Sequence, residues 1–305
     1  MTAVAAVETP LWRFYRVTVA AVTRLSPSFV RVTLTGPDLD EVADNGYDQR
    51  LKLVLPAPDG GFAHLAEGGG SAGWYAEWRL LPAERRPTIR TYTVRGVRPE
   101  AREVDIDMVL HGESGPASRF ASTAQVGDVA MLMGPNSRYA GRHGGLEFRP
   151  PAGHTGPTLL VGDETAVPAV LAIVDRLPDD AFGEVVLEVP DAGDITDARV
   201  PPGLRLTWLV RRGGGSALPG GVRAAVERIG VEALAAPQAV PSDEAAEDAP
   251  LWDVPEDART SGLYAWLAGE STVITGLRRY LVRERGVDRR GVAFMGYWKD
   301  GRPEC

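Results

Sequence analysis

The periodicity of the apolar residues changes once along this chain of 305 residues, between residues 140 and 157. In residues 13–134 apolar and polar residues alternate, as Val30, Val32 and Leu34 do with their neighbours. Strict alternation is typical of strands with one buried face. From residue 158 onward, short apolar runs such as TLLVG and EVVLEV are continuous, as in strands covered on both faces. The chain is therefore predicted to contain two domains of different class.

The first half predicts six strands, near residues 14–22, 30–35, 51–55, 90–97, 104–110 and 128–133, without helical spacing between them. This number predicts a closed antiparallel β-barrel. In the second half, helical stretches at 165–176 and 271–285 separate the apolar runs, which predicts an α/β doubly wound parallel sheet. The expected bounds are 11–140 for the barrel, 141–157 for a linker rich in glycine and proline, and 158–305 for the α/β domain.

Charge and composition exclude several classes of protein. The net charge of -8 argues against a general nucleic-acid binder. No stretch has about 18 consecutive uncharged apolar residues, so no membrane insertion is expected, and the first ten residues lack the features of a signal peptide. The one cysteine is the last residue, which excludes a disulfide framework and cysteine-ligated metals. We therefore expect a cytoplasmic protein, with a monomer as the default.

The segment 237–262 is acidic and contains proline, with seven acidic residues and one arginine. Such a composition is typical of a loop outside the packed core. We therefore predict an acidic insertion in the α/β domain that forms a mobile loop.

The stretch RTYTVR places chemically suited side chains on one predicted strand. Arg90 and Tyr92 share a face because side chains alternate along a strand. A guanidinium can bind a diphosphate bidentately, a tyrosine ring can stack on a fused heterocycle, and a threonine hydroxyl can donate to a ring nitrogen. A flavin dinucleotide needs these three contacts, although an amphipathic strand with an exposed arginine explains the tetrapeptide alone equally well. The candidate cofactor residues here are Arg90, Thr91, Tyr92 and Thr93.

A second candidate anion site lies between the fifth and sixth predicted strands, in HGESGPASRFAS. Gly112 and Gly115 free the backbone, and Pro116 suits the first position of a short helix. A helix N-terminus behind glycines can bind an anion, but an ordinary loop and capped helix explain the same residues. Because Arg90 lies in an earlier strand and could bind the same diphosphate, we interpret this segment as the second half of a diphosphate clamp.

The α/β domain lacks the usual nucleotide fingerprint, because no GxGxxG follows Val161. The sequence there is GDETAVP, and two unit charges about 4 Å apart repel by about 4 kcal/mol at an effective dielectric near 20. A helix terminus contributes roughly 0.3 to 1 kcal/mol, so a pyrophosphate seated against both acids is disfavoured. Asp163, Glu164 and Thr165 are instead expected to contact a ribose, the nicotinamide amide or the barrel. For Glu164, a favourable interaction with the dipole of its own helix is the alternative.

Positive charge that could recognise a 2′-phosphate appears at Arg211 and Arg212, after the third apolar run. Two solvated loop arginines are the alternative interpretation. Gly269 and Glu270 follow the fourth run and open a helix, so they are expected to line the same crevice.

No cluster of the four histidines has metal-ligand spacing and no GxSxG is present, so we expect neither a metal site nor a catalytic nucleophile.

The motifs, taken in order, resemble those of the siderophore-interacting proteins, ferric-siderophore reductases of the ferredoxin-reductase superfamily. The matching motifs are RTYTVR, VLHG with GPAS, LLVGDETAVPAV, YAWLAGES, RRYLVRERGVDRR and GYWKDG, which extend from about residue 13 to 302. The resemblance implies an antiparallel FAD-binding barrel followed by a nicotinamide-binding domain.

The resemblance also implies roles for individual residues. Arg90 would hold the FAD diphosphate, Tyr92 would stack on the isoalloxazine, and Thr93 would bind near its reactive nitrogen. The phosphate and adenosine side would contact His111, Gly112, Gly115, Ala117 and Ser118, and the last strand would contribute Gly296, Tyr297 and Trp298. Basic residues would meet the anionic ferric siderophore, and the candidates are Lys52, Arg138 and Lys299.

The implied activity is reduction of siderophore-bound Fe(III) by electrons that pass from NADPH or NADH through FAD, with release of Fe(II). Flavin supplies the difficult step and the protein supplies positioning and electrostatics. Two alternatives stay open. A general NAD(P)H flavin or dye reductase would show no preference for ferric chelates, and a non-catalytic siderophore carrier would leave bound flavin oxidised.

Overall fold

A computed structural model describes residues 9–62, 65, 73–110, 115–230, 252–255 and 260–301. Internal contacts divide the chain into two compact units, residues 1–146 and residues 147–305. Each unit is built on its own sheet. Among the described helices, none is long and apolar enough to cross a membrane.

Unit 1 contains one antiparallel sheet of seven strands in the order β4-β3-β7-β1-β2-β6-β5. The strands are β1 (Trp12–Arg24), β2 (Phe29–Thr35), β3 (Arg50–Leu55), β4 (Thr88–Thr93), β5 (Gly96–Arg98), β6 (Glu103–Val109) and β7 (Val129–Pro135). Among the described residues of this unit, two α-helices accompany them, α1 (Trp74–Leu80) and α2 (Pro116–Thr123). Sequence analysis predicted α2 but not α1.

The two edge strands of this sheet, β4 and β5, are consecutive in the chain. Val94 donates its backbone N–H to Gln49 beside β3 at 2.8 Å, and Arg95 donates to Asp105 of β6 at 2.9 Å. The chain thus changes partner strand within two residues, so the sheet curls until its two ends join. The single strand expected at 90–97 is therefore divided in two, and the predicted antiparallel barrel is confirmed.

Alternation along the strands produces the barrel core. Leu51 and Leu53 of β3 point inward together with Val32 and Leu34 of β2, and all four are almost fully buried. The intervening residues of β3 face outward, where Val54 joins a second cluster with Phe14, Ile89, Met131 and Met133. Helix α1 covers this second cluster through Trp74 and Trp78.

Unit 2 contains a six-stranded sheet in the order β10-β9-β8-β12-β13-β11, parallel except at β11. Its strands are β8 (Thr158–Gly162), β9 (Phe182–Val189), β10 (Gly203–Val210), β11 (Trp252–Asp253), β12 (Tyr264–Glu270) and β13 (Val292–Trp298). The helices of the described part are α3 (Val167–Val174), α4 (Leu218–Ile229) and α5 (Ser271–Arg279), the last continuing into a π-helical turn at Tyr280–Glu284. The predicted doubly wound sheet is confirmed.

The acidic insertion 237–262 is not a loop throughout, which corrects the prediction. Trp252 and Asp253 form β11, which pairs with Met295 and Phe294 at the edge of the sheet. A backbone hydrogen bond of 2.8 Å from Thr155 to Thr260 ties the other end of the insertion to the start of unit 2. Residues 237–251 and 256–259 lie outside the described residues.

The order of the parallel strands determines where a ligand can bind in unit 2. The chain order reverses direction between β8 and β12, and such a switch point opens a crevice at the carboxyl ends of the strands. Residues 163–165 and 270 stand at the ends of those two strands. The groups at this edge therefore decide what the crevice can accept.

Candidate functional site

Strand β4 presents its predicted flavin contacts on two faces. Arg90 lies opposite Leu53 and Tyr92 opposite Leu51, so these two side chains share the face that bears the barrel core. Thr91 lies on the other face and is exposed, while Thr93 is 7% exposed. The strand thus offers a half-buried guanidinium and a half-buried phenol side by side.

Helix α2 packs against β4, and no described side chain accepts a hydrogen bond from its first turn. Ala117 and Ala121 enter the barrel core, and Phe120 packs on the same cluster as Tyr92. Gly115 precedes the helix in an extended conformation, no side chain of the described residues caps the N-terminus, and the first turn has no acidic residue. A methyl group added at Gly115 would meet no described atom within 4 Å. The N–H groups of Ala117 and Ser118 are therefore oriented as in an open anion site.

These features fit a flavin dinucleotide. Arg90 supplies a fixed positive charge, the uncapped helix start supplies N–H donors, and Tyr92 supplies an aromatic face. This donor set is suited to a diphosphate joined to a flat ring system. His111 and Gly112, which were predicted to complete the clamp, lie outside the described residues.

A pocket of about 340 Å³ opens on the outer face of β3. Lys52 and Arg50 line it beside Trp12, and the Lys52 ammonium donates to the Thr91 hydroxyl at 3.3 Å. Burial, and secondarily the charge of Arg50, lowers the pKa of Lys52. The structure therefore brings Thr91 together with Lys52 rather than with Arg90 and Tyr92, and the pocket joins two cations to apolar walls.

The other two predicted siderophore contacts differ in their surroundings. Arg138 forms an ion pair with Glu41, a carboxylate that also pairs with Arg13. Lys299 follows β13 in unit 2 and is half-buried. Of the three candidate cations, Lys52 is the one that lines the pocket.

Asp163 joins the ends of three strands in unit 2. Its carboxylate, which is 2% exposed, accepts hydrogen bonds from the Thr165 N–H at 3.0 Å and from the Thr165 hydroxyl at 2.5 Å. It also accepts from the Glu270 N–H at 2.7 Å and from the Trp298 indole at 2.8 Å. Asp163 thus accepts hydrogen bonds from Thr165, Glu270 and Trp298, at the ends of β8, β12 and β13. All four residues were predicted as cofactor contacts.

The surroundings of Asp163 affect its ionisation and its neighbours. Burial, and then the nearby Glu164, raise the pKa of Asp163 to about 6, against the opposing effect of its hydrogen-bond donors. Gly269 has a φ of 148°, and a Cβ there would lie 2.5 Å from an Asp163 carboxylate oxygen. Glycine at 269 is therefore required for the carboxylate to approach β12.

Arg211 is held by two buried carboxylates. It donates to Glu164 in bidentate fashion, one contact being 2.9 Å, and its Nε donates to Glu188 at 2.8 Å. Burial of the acids is almost complete, at 3% exposure for Glu164 and 0% for Glu188. These hydrogen bonds raise the pKa of Arg211, so it stays charged. Arg212 is exposed and forms no ion pair within the part of the chain that the structure describes.

Glu188 was not among the predicted site residues. It is the seventh residue of β9 and one of two glutamates in the run EVVLEV, the other being Glu184 at its start. A charged residue in a strand buried on both faces requires a partner, and this signal was present in the sequence.

The predicted aromatic residues of the last strand are packed within unit 2. Tyr297 stacks on Trp252 of β11 with a ring distance of 5.8 Å, and it meets the edge of Trp266 at 6.4 Å. Trp298 is fixed by Asp163. Both side chains therefore have defined positions at the carboxyl end of β13.

Comparison with known proteins identifies both units. Residues 18–139 match the siderophore-interacting FAD-binding domain, and residues 156–301 match the siderophore-interacting protein family. Among curated proteins, an uncharacterized protein of Mycobacterium tuberculosis is 34% identical over 291 residues, covering 94% of this chain and 90% of its own length. Ferric vibriobactin reductase ViuB of Vibrio cholerae is 31% identical over 282 residues, covering 92% of this chain and 87% of its own length.

Solved structures agree with this result. The siderophore-interacting protein SipS from Aeromonas hydrophila is 31% identical, with a TM-score of 0.64 over 96% of this chain and 94% of its own. The antiparallel barrel followed by a parallel α/β sheet is the ferredoxin-reductase-like fold expected from the sequence. The chain therefore belongs to the siderophore-interacting protein family, with an FAD-binding domain at its N-terminal end.

Proposed function

We propose that this chain is an FAD-dependent oxidoreductase that passes electrons from NAD(P)H to a ferric siderophore and releases Fe(II). The observation that carries the proposal is the pairing of Arg90 and Tyr92 on β4 with the uncapped start of α2, in a domain that matches an FAD-binding family. The likeness to ferric vibriobactin reductase supports the choice of acceptor. The proposal assigns the reaction to the cytoplasm, where NAD(P)H is available.

The residues of unit 1 bind and orient, and none acts as an acid or base. Arg90 and the first N–H groups of α2 neutralise a diphosphate, and Tyr92 supports one face of the ring system. When bound, FAD supplies the conversion of a two-electron hydride donor into one-electron delivery to iron. Fe(II) is held less tightly than Fe(III) by hard oxygen donors, so reduction favours release of the metal.

The Lys52 pocket is the proposed contact for the siderophore. A ferric chelate with carboxylate, catecholate or hydroxamate groups carries negative charge, and Lys52 and Arg50 provide the opposite charge beside the apolar ring of Trp12. A half-buried ammonium interacts more strongly than a fully solvated one because screening is weaker. Arg138 is proposed as a weaker contributor, since Glu41 already balances its charge.

An anaerobic absorbance titration tests the proposed function directly. FAD-loaded protein receives NADH or NADPH and then a ferric siderophore, while the flavin band near its visible maximum is recorded. The proposal expects bleaching by the nucleotide and return of the band on adding the chelate. Equal reoxidation by free flavin and by ferric chelates would favour the general reductase, and a flavin that never bleaches would favour the carrier.

Charge reversal at the pocket should separate substrate binding from flavin chemistry. We expect Lys52→Glu to lower the rate of ferric-siderophore reduction at least about tenfold, since tenfold corresponds to about 1.4 kcal/mol and the change both removes an attraction and adds a repulsion. Reduction of a small neutral dye by the same variant should stay within about twofold. Stopped-flow reoxidation of the reduced flavin provides the measurement.

Arg85→Glu is the matched control for this experiment, because Arg85 is an exposed residue of the turn Ala83–Arg85, outside the pocket. Equal losses in the two variants would reject the Lys52 site and leave a general charge effect as the explanation.

A further inference from the structure

The arginine that the sequence suggests for a 2′-phosphate is already neutralised inside unit 2. We infer that this protein takes NADH in preference to NADPH, and that Glu164 and Glu188 exclude the additional phosphate. This inference rests on the proposed function, because it specifies which nicotinamide dinucleotide serves that reaction.

The first step concerns the geometry of Arg211. All three nitrogens of its guanidinium donate to carboxylate oxygens, two to Glu164 and one to Glu188. Three of its five N–H donors are thus used, and the two acids already balance its charge. A phosphate at the two remaining N–H groups would lie close to two buried carboxylates, and repulsion from them opposes the attraction to Arg211.

The second step concerns the start of α4, the other group at this edge that could bind an anion. Glu188 fills it: one carboxylate oxygen accepts from the Leu218 N–H at 3.2 Å, from the Ser216 hydroxyl at 3.1 Å, and from the Ala217 N–H. The helix N-terminus therefore already holds a negative charge supplied by the protein itself. The N–H groups of Ala217 and Leu218 are therefore already used, and the charge of Glu188 opposes an incoming phosphate there.

The third step concerns net charge. Two glutamates face one arginine in this network, and Asp163 lies next to Glu164 on the other side. A phosphomonoester adds about -1.5 to -2 at pH 7. In a doubly wound parallel sheet, these strand ends lie near the 2′ position of the adenosine ribose of a bound dinucleotide. An arginine there recognises the 2′-phosphate of NADPH, whereas an acid favours the free 2′-hydroxyl of NADH. The exposed Arg212 is the cation left to oppose this repulsion among the described residues of the loop 211–217.

The primary test compares two adenylates that differ only in the 2′-phosphate. Isothermal titration of the FAD-loaded full-length protein with 5′-AMP and with 2′,5′-ADP should show at least about tenfold tighter binding of 5′-AMP. The same ratio is expected between kcat/KM for NADH and for NADPH. Equal or tighter binding of 2′,5′-ADP overturns the inference, and so does the absence of binding by both adenylates.

A variant identifies the residue responsible. Glu188→Gln keeps an oxygen that can accept from the start of α4 but removes the charge, so affinity for 2′,5′-ADP should rise at least about fivefold while that for 5′-AMP changes less than about twofold. If both affinities change together, or neither changes, Glu188 does not discriminate between the adenylates.

The matched control lies on the same strand. Glu184, also buried, pairs with Arg228 at 2.8 and 2.9 Å at the opposite end of α4. Glu184→Gln should leave the ratio of the two adenylate affinities unchanged. Since adenylate binding requires no electron transfer, a protein that discriminates as expected but never reduces a ferric siderophore would refute the proposed function and leave this inference standing.

Discussion

Substitution of Arg90 with alanine is expected to abolish the retention of FAD. Charge-assisted hydrogen bonds contribute about 1.5 to 3 kcal/mol each, and a bidentate contact to the diphosphate would be lost. Affinity for FAD should therefore fall at least about 100-fold, since each 1.4 kcal/mol is a factor of ten. The ratio of absorbance at the flavin band to absorbance at 280 nm, measured after gel filtration and again after addition of excess FAD, checks this result.

Two further variants make the Arg90 result interpretable. Arg90→Lys keeps the charge but loses the planar fork, and it should recover only part of the affinity. Arg85→Ala removes an exposed arginine five residues upstream and should retain FAD fully. Because Arg90 is half-buried, thermal unfolding of the FAD-free forms must also be compared. Full FAD content in Arg90→Ala would refute the diphosphate clamp.

At pH 7, where its carboxylate is ionised, Asp163→Asn is expected to destabilise unit 2 by about 2 to 4 kcal/mol, because an amide can accept through one atom and not two. The NH2 group of asparagine would replace one of the two carboxylate oxygens. In one orientation it would face the Glu270 N–H and the Trp298 indole, and in the other it would face the two donors of Thr165. Buried donors without an acceptor cost about 1 to 3 kcal/mol each. Urea denaturation followed by tryptophan fluorescence measures the loss.

Trp298→Phe is the matched variant, since it removes one donor and keeps an aromatic ring. It should cost about 1 kcal/mol. Similar losses in the two variants would show that Asp163 acts through Trp298 alone and not as a junction of three strands.

The ionisation of Asp163 predicts how this loss depends on pH. Its pKa in the folded protein, about 6, lies above the ordinary value of 3.8 for an aspartate, so the folded state favours the protonated form. The stabilisation from this group is therefore complete below pH 4 and is lost as pH rises through 6, a change of about 3 kcal/mol at 1.36 kcal/mol per pKa unit. Asparagine does not titrate, so the stability difference between wild type and Asp163→Asn should shrink between pH 4 and 7. A difference that grows with pH would contradict the raised pKa.

The predictable part of the fold was the part that local periodicity encodes. Alternating residues such as Val32 and Leu34 reveal a strand with one buried face, and continuous runs such as TLLVG reveal strands covered on both faces. The division of β4 from β5 was not predictable, because it depends on which strand the backbone of Val94 and Arg95 meets in space.

Within the candidate site, residue type was easier to predict than residue partnership. Asp163 was predicted as a cofactor contact, but its hydrogen bonds to Glu270 and Trp298 span 107 and 135 residues of sequence. Arg211 resembled a free cation because its partner Glu188 lies 23 residues earlier, inside an apolar strand. Long-range pairing of charges leaves no local pattern in the sequence. The hydrogen-bond and ion-pair partners at the carboxyl edge of the sheet in unit 2 were therefore not predictable from it.

The small strand β11 has a consequence for how the protein can be shortened. Without Trp252 and Asp253, the strand VAFMGYW would become the outer strand of its sheet along the backbone of Phe294 and Met295. An outer strand that is apolar and uncharged can pair with the same strand of another molecule and start aggregation. A truncation of the acidic insertion that stops before Trp252 should therefore yield soluble protein, whereas one that also removes Trp252 and Asp253 should precipitate at high concentration.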